Sequence, residues 1–250
     1  MVLSAQLQEK AMEYHGEDQP SPIIRTAPTG VAAHGIRGRT LHALFRLPVQ
    51  KGFEPLSPAN LQAIQASLRE CVYIAVDEKS MISQKQLSWL DQRCRQARPD
   101  REEPFGGLSI LLMGDFFQLP PVLGRPLYHT ASRVDEYEMQ GRVVYTGFNR
   151  TIELSTIMRQ QGHSNDAIRF REALDHLRRG DVTRVDWETL TTRVQSNLSL
   201  SEVASFDDAL RIYGKKAAVA TLNHARMRDL QCTSIMLSVP VASNCTSAAP

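Results

Sequence analysis

Two adjacent acids, Asp77 and Glu78, close a short apolar run from Val72 to Val76. Such runs are typical of strands covered on both faces, as in a parallel α/β sheet. An apolar strand ending in paired carboxylates suits a nucleotide hydrolase. One acid binds magnesium, directly or through water, and the other polarises the nucleophile. The same pair can instead cap the following helix. A second apolar run, Leu108 to Met113, leads into Gly114-Asp115-Phe116-Phe117-Gln118-Leu119-Pro120-Pro121. A glutamine just past a strand can donate to a phosphate oxygen and accept from water, so it can report nucleotide state. A polar turn residue is the plainer alternative. A third run, Ile23 to Ala27, enters Pro28-Thr29-Gly30. A hydroxyl and exposed amides at a strand-to-helix junction suit a phosphate of nucleotide or nucleic acid, or make an ordinary turn. Arg39 and His42 follow within reach of the same edge. Arg159 comes after the apolar stretch that ends at Met158. An arginine placed there can stabilise transferring phosphoryl charge across a domain cleft, or sit plainly on the surface.

The elements that must position these groups alternate strand and helix. Residues 3–14 carry Leu3, Leu7, Ala11 and Tyr14 on one helical stripe, and 16–22 form a loop by composition. Val31 to Leu47 is apolar but broken by Gly35 and Gly38, which predicts a short helix, a turn and a second short helix. Ser57-Pro58 is a cap followed by proline at the first helical position, and that helix continues through Leu61, Ile64 and Leu68. Residues 84–97 form a helix with Leu87, Leu90, Cys94 and Ala97 on one face. Asp166 to Arg179 is a helix with Phe170, Leu174 and Leu177 inward, ended by Gly180. Thr183 and Asp186 resemble a capping box for a helix carrying Trp187 and Leu190. Ala217 to Thr221 reads as a weak strand, and the Ser/Ala/Thr-rich residues 232–250 as a disordered tail. The alternation predicts a doubly wound, mostly parallel α/β sheet, with ligands beyond the carboxyl ends of its strands.

Composition excludes other classes. Hydrophobic residues make up 42% and charged residues 22% of the 250 residues, which excludes a wholly disordered chain. Lys and Arg total 29 against 27 Asp and Glu, so any nucleic-acid surface must be local. No apolar run approaches the roughly 18 residues a bilayer span needs. Glu9, Glu13, Glu17 and Asp18 argue against a secretory or transit peptide. Cys71, Cys94, Cys232 and Cys245 lack metal-binding spacing and read as buried or free thiols in a reducing compartment.

In order, T-A-P-T-G, V-D-E-K-S-M, P-F-G-G-L-S, G-D-F-F-Q-L-P-P-V and L-S-T-I-M-R-Q closely resemble the petite-integration-frequency (Pif-type) DNA helicases of superfamily 1, over roughly residues 23–195. The resemblance implies a RecA-like motor fold of the P-loop NTPase type. It also implies ATP and magnesium as cofactors and 5′ to 3′ movement on single-stranded DNA. By position it makes Asp77 and Glu78 the magnesium-binding and water-activating acids and Gln118 the γ-phosphate sensor. Arg159 becomes the arginine that reaches the γ-phosphate. Pro28, Thr29 and Gly30, with Arg39 and His42, become the segment along DNA. Lys79 stands where the family often has an apolar residue.

No G-x-x-x-x-G-K-[ST] occurs in the 250 residues. That loop supplies the amide cradle, the phosphate lysine and the magnesium hydroxyl. The expected organisation is therefore a chain truncated at both ends. Residues 1–22 are the remnant of the helix after the missing loop plus a linker. Residues 23–150 are the first motor domain, 151–231 the start of a second motor region, and 232–250 the tail. Such a chain is expected to have negligible ATPase and helicase activity by itself, and a sheet with one unpaired interior edge. A non-catalytic single-stranded-DNA-binding module is the alternative. Family resemblance implies a nuclear or mitochondrial location.

Overall fold

A computed structural model describes residues 5–6, 9–10, 13, 21–49, 52–130 and 133–229. The expected 232–250 tail, Cys232 and Cys245, and most of the expected helix over 3–14 lie outside the described residues. The chain divides into two compact units: Met1–His163 with Asp175–Asp181, and Ser164–Leu174 with Val182–Pro250.

In the first unit, β1 (Ile23–Ala27), β2 (Arg39–Thr40), β3 (Tyr73–Val76) and β4 (Ser109–Leu112) form one sheet in the order β2-β1-β3-β4. Every pairing is parallel, with Ala75 opposite Arg25 on one side and Leu111 on the other. Helices α1 (Gly30–Gly35), α2 (Leu41–Phe45), α3 (Pro58–Leu68), α4 (Gln84–Ala97) and α5 (Glu136–Thr146) connect and cover the strands. This is the parallel, helix-covered α/β sheet expected from the apolar runs.

β3 is the deepest strand. Ile74 and Val76 are fully buried, and they pack with Leu44, Phe45, Leu68, Leu87, Leu90 and Cys94. Burying a side chain of the Ile or Leu type contributes roughly 1.5–3 kcal/mol, so this cluster holds the unit together. β4 is different. Among the described residues it pairs only with β3, and Ile110, Leu111 and Leu112 are no more than half-buried. Burial pushes the Cys71 thiol up to about 11 and the Cys94 thiol well above its ordinary value. Both are free and buried, and burial favours the protonated thiol over the thiolate.

Local chemistry sets the helix boundaries. Ser57 caps α3 with proline just inside it. Ser83 and Gln86 make a full capping box at the start of α4, and Asp135 and Glu138 make one at the start of α5. Arg98 Nη2 donates to the Leu68 carbonyl (2.8 Å) and to that of Cys71, satisfying acceptors left open where α3 ends. Buried Arg93 lies 4.1 Å from the Phe53 ring centroid and donates to the Glu54 carbonyl (2.8 Å), tying the 52–57 segment to α4. The predicted pair of short helices between Val31 and Leu47 forms as α1 and α2, with the two-residue β2 between them.

Helix α6 (Asn165–Arg179) contributes residues 165–174 to the second unit and 175–179 to the first. The second unit also holds α7 (Arg184–Thr191), α8 (Leu200–Ser205) and α9 (Lys216–Asp229). The Thr183 capping box forms as read, with Asp186 Oδ2 accepting from Thr183 Oγ1 at 2.6 Å. Two expectations fail. Phe170 (42% exposed) and Leu177 (47%) do not point inward; Ala173 is the buried residue of α6 and Leu174 is half-buried. Ala217 to Thr221 is helical, within α9. Three of its five residues are alanine, the strongest helix former, and a short apolar run does not distinguish strand from helix.

Candidate functional site

Thr29, Glu78 and Gln118 line one cleft of about 700 Å³, together with Val31, Ala32, Met81, Phe117, Leu119 and Pro120. Each of the three polar groups lies just past the carboxyl end of a different strand. Thr29 follows β1, Glu78 follows β3 and Gln118 follows β4. Because these strands are parallel neighbours, their carboxyl ends share one edge. That edge is where open α/β sheets bind ligands.

Each group is held by its backbone. Thr29 caps α1, its Oγ1 accepting from Ala32 N at 3.2 Å. Asp77 N donates to Thr26 O (2.9 Å), which fastens the end of β3 to β1. Asp77 Oδ1 accepts from Glu78 N at 2.9 Å. Asp77 Oδ2 has no partner among the described residues and is free to take a cation. Glu78 has φ +55°, in the left-handed region. A non-glycine residue there costs of order 1–3 kcal/mol, and such strain clusters at functional sites. The next residue anchors the turn: Lys79 N donates to Met113 O at 2.8 Å, so the acid pair is registered against the end of β4. Lys79 Nζ sits 4.6 Å over the Phe116 ring, which gives a lysine a favourable place at this position.

The Gln118 turn begins at Gly114, whose φ is +133°. Gln118 N donates to Asp115 O (3.0 Å) and Phe117 N to Asp115 Oδ1 (3.1 Å), an aspartate-stabilised turn. Asp115 Oδ2 pairs with Arg178, whose guanidinium lies 4.6 Å from the Phe117 ring centroid. Burial pushes the Asp115 carboxyl up, but the Phe117 N–H, Arg178 and the Gln118 side chain outweigh it. The net direction is below the ordinary carboxylate value, so Asp115 is ionised at neutral pH.

The remaining residues singled out from sequence lie elsewhere. Pro28 and Gly30 flank Thr29 but do not line the cleft, and Gly30 is exposed with open space around it. Arg39 is exposed on β2. Half-buried His42 has its imidazole pushed below the usual range by burial, so it offers a hydrogen bond rather than a charge at pH 7. Arg159 is exposed and not among the cleft's lining residues. Asp115 and Arg178 had no assigned role. Asp115 was visible only as part of a string, and Arg178 lies 63 residues further on, with no local signal.

Asp77 precedes Glu78 but does not itself line the cleft; the Glu78 carboxylate and the Gln118 amide that do are the donor types the metal and terminal-phosphate end of a magnesium triphosphate takes. The amide cradle of a glycine-rich loop is not in this sequence. A parallel sheet gathering these groups on one edge is the layout of a nucleotide-driven RecA-like motor domain. The chain belongs to the PIF1-like helicase family, whose model matches residues 11–188. It is 32% identical over 213 residues to ATP-dependent DNA helicase PIF1 of Saccharomyces cerevisiae (strain YJM789), covering 83% of this chain and 23% of the relative. The crystal structure of Pif1 helicase from Candida albicans superposes with a TM-score of 0.63 at 24% identity, covering 92% of this chain and 49% of that one. The Pif1 helicase from Bacteroides, solved in complex with ADP-AlF3 and ssDNA, superposes with a TM-score of 0.57 at 25% identity, covering 92% and 52%. The chain thus spans about a quarter of the yeast relative and about half of each solved chain.

Proposed function

We propose that this chain carries the acid-pair and sensor side of an ATP-dependent DNA helicase motor that moves 5′ to 3′ on single-stranded DNA. The observation that supports this most is the convergence of Thr29, Glu78 and Gln118 on one cleft. When bound, magnesium and ATP supply the electrostatic pull and the phosphoryl group to be transferred. Asp77 would hold the magnesium ion, and Glu78, fixed by its left-handed turn, would orient the attacking water and take its proton. The Gln118 amide would read the γ-phosphate; Arg159, exposed and away from the cleft, would have to be brought to the same phosphate. Pro28, Thr29 and Gly30 lie along single-stranded DNA with Arg39 and His42, and neutral His42 donates a hydrogen bond rather than a charge. Residues 23–150 form the first motor domain and 151–231 begin the second. The family reading makes the location nuclear or mitochondrial. Among the described residues no helix is long and apolar enough to cross a membrane.

A second reading has a specific motive. With no phosphate cradle in the sequence, the chain binds single-stranded DNA without hydrolysing ATP. One experiment tests what the two readings share and whether any turnover remains. Purified chain is titrated with fluorescent oligo-dT at several salt concentrations, and ATP turnover is followed in parallel. The expected result is weak binding that falls steeply with salt, and no turnover above buffer. DNA-stimulated ATP hydrolysis would overturn the expectation of an inert chain. No binding at the lowest salt would remove the DNA face from both readings.

A further inference from the structure

We propose that Arg178 is a positioning residue for the cleft: with Asp115 it forms a latch that holds the Phe116–Gln118 turn, and so the Gln118 amide, on the cleft wall. Asp115 and Arg178 converge on this turn, whose Phe116 also packs against Tyr128 and Tyr145. The Asp115 carbonyl accepts from Gln118 N at 3.0 Å, and Asp115 Oδ1 accepts from Phe117 N at 3.1 Å. Asp115 Oδ2 pairs with Arg178 Nη1, and the Arg178 guanidinium stacks 4.6 Å from the Phe117 ring centroid. All of these residues belong to the first unit.

The chemistry favours arginine. A planar guanidinium can pair with a carboxylate and stack on an aromatic face at once, whereas a lysine ammonium provides the charge without the planar stack. An ion pair of this exposure has little effect on global stability. Its consequence is local. The Asp115 side chain is 21% exposed, yet Phe117 is 64% exposed and Gln118 is exposed as well. Among the described residues, the Phe117 ring has its cation contact from Arg178 and the Gln118 side chain its hydrogen bond with Asp115. Without Arg178, Asp115 loses its charge partner and Phe117 loses its cover; Phe116 stays packed against Tyr128 and Tyr145, so the loosening is confined to Phe117 and Gln118. The functional value of the latch rests on the reading of the cleft as a triphosphate site; its geometry does not.

The test is amide NMR on the ¹⁵N-labelled full chain. In the wild type, Phe117 and Gln118 are expected to show the heteronuclear NOE of ordered backbone. Arg178→Ala is expected to lower both to loop-like values while thermal unfolding is nearly unchanged, and Arg178→Lys to restore part of the order. Unchanged NOE values in Arg178→Ala would overturn the latch. If Arg178→Ala fails to fold, Asp115→Asn gives the same answer, since it keeps an acceptor for Phe117 N and removes only the charge. It is expected to loosen Gln118, and a rigid Gln118 in that variant would also overturn the proposal. Added magnesium-ATP tests the other claim separately. If it leaves Gln118 unmoved even in the wild type while the latch variants loosen the turn, the triphosphate reading falls and the latch stands.

Discussion

Replacing Gly141 by alanine is expected to destabilise the protein by about 3 kcal/mol, although alanine is the better helix former by about 1 kcal/mol. Gly141 lies in α5, where α5 crosses the first turn of α4. A Cβ built there would sit 1.8 Å from the Gln84 carbonyl oxygen and 2.5 Å from its carbon, whereas real contacts of this kind essentially never fall below 3.0 Å. The obstacle is backbone, so no side chain can swing aside. Gln84 cannot retreat either. It is fully buried, its N–H donates to Arg125 O at 2.9 Å, and its Nε2 donates to Leu127 O at 3.2 Å and His129 O at 2.7 Å. The helices must separate, which pulls apart the Ser88–Gln140 and Gln92–Gln140 hydrogen bonds and the packing of Phe53, Trp89 and Tyr137. Circular dichroism during thermal and urea unfolding reads the change. A variant as stable as the wild type would show that the two helices are not this close.

Gly114→Ala is the second large effect, and its damage is directed at the site. The residue has φ +133°, which L side chains rarely adopt, and a Cβ there would lie 2.8 Å from Lys79 N and 3.3 Å from Glu78 Cα. Strain and overlap together are expected to cost on the order of 2–4 kcal/mol. Relief requires either moving the Glu78–Lys79 backbone away from β4, which breaks the Lys79 to Met113 hydrogen bond, or re-aiming the Asp115–Gln118 turn. Amide shifts of the alanine variant are therefore expected to change most at residues 77–79 and 114–118, with α3 and α4 little affected. Changes spread evenly through the core would contradict this account.

Local signals made most of the first unit legible. Leu87, Leu90, Cys94 and Ala97 fit one helical stripe, so the expected 84–97 is the observed Gln84–Ala97, whose start the structure shows fixed by the Ser83–Gln86 capping box. β3 reads from an unbroken apolar run, because strands inside a parallel sheet need apolar residues on both faces; β4 reads from a run that includes Ser109 and, among the described residues, lies at the sheet edge, only half-buried. The strand-end rule then brought Thr29, Glu78 and Gln118 to one edge. What stayed hidden depends on contacts distant in sequence. The Asp115–Arg178 pair joins a strand end to the last turn of a helix 63 residues later, and no periodicity or cap announces it. The favourable place of Lys79 depends on the Phe116 ring beneath its ammonium, a contact between residues distant in sequence. The orientation of α6 was misread because three apolar residues at helical spacing do not say which of them meets a neighbour. Ala173, too small to be picked as a core residue, is the one buried.

The central claim is that the acid pair and the glutamine face one metal–triphosphate site. Even without a phosphate cradle, a dissociation constant of about 1 mM, or about −4 kcal/mol, is enough to see it. The direct measurement is paramagnetic line broadening in the ¹⁵N-labelled full chain with ATP and Mn²⁺ in place of magnesium. The account predicts broadening centred on Asp77 and Glu78, extending to Thr29 and Gln118, and abolished in Asp77→Asn. Broadening centred on any other part of the chain, or none at millimolar Mn²⁺-ATP, would contradict it.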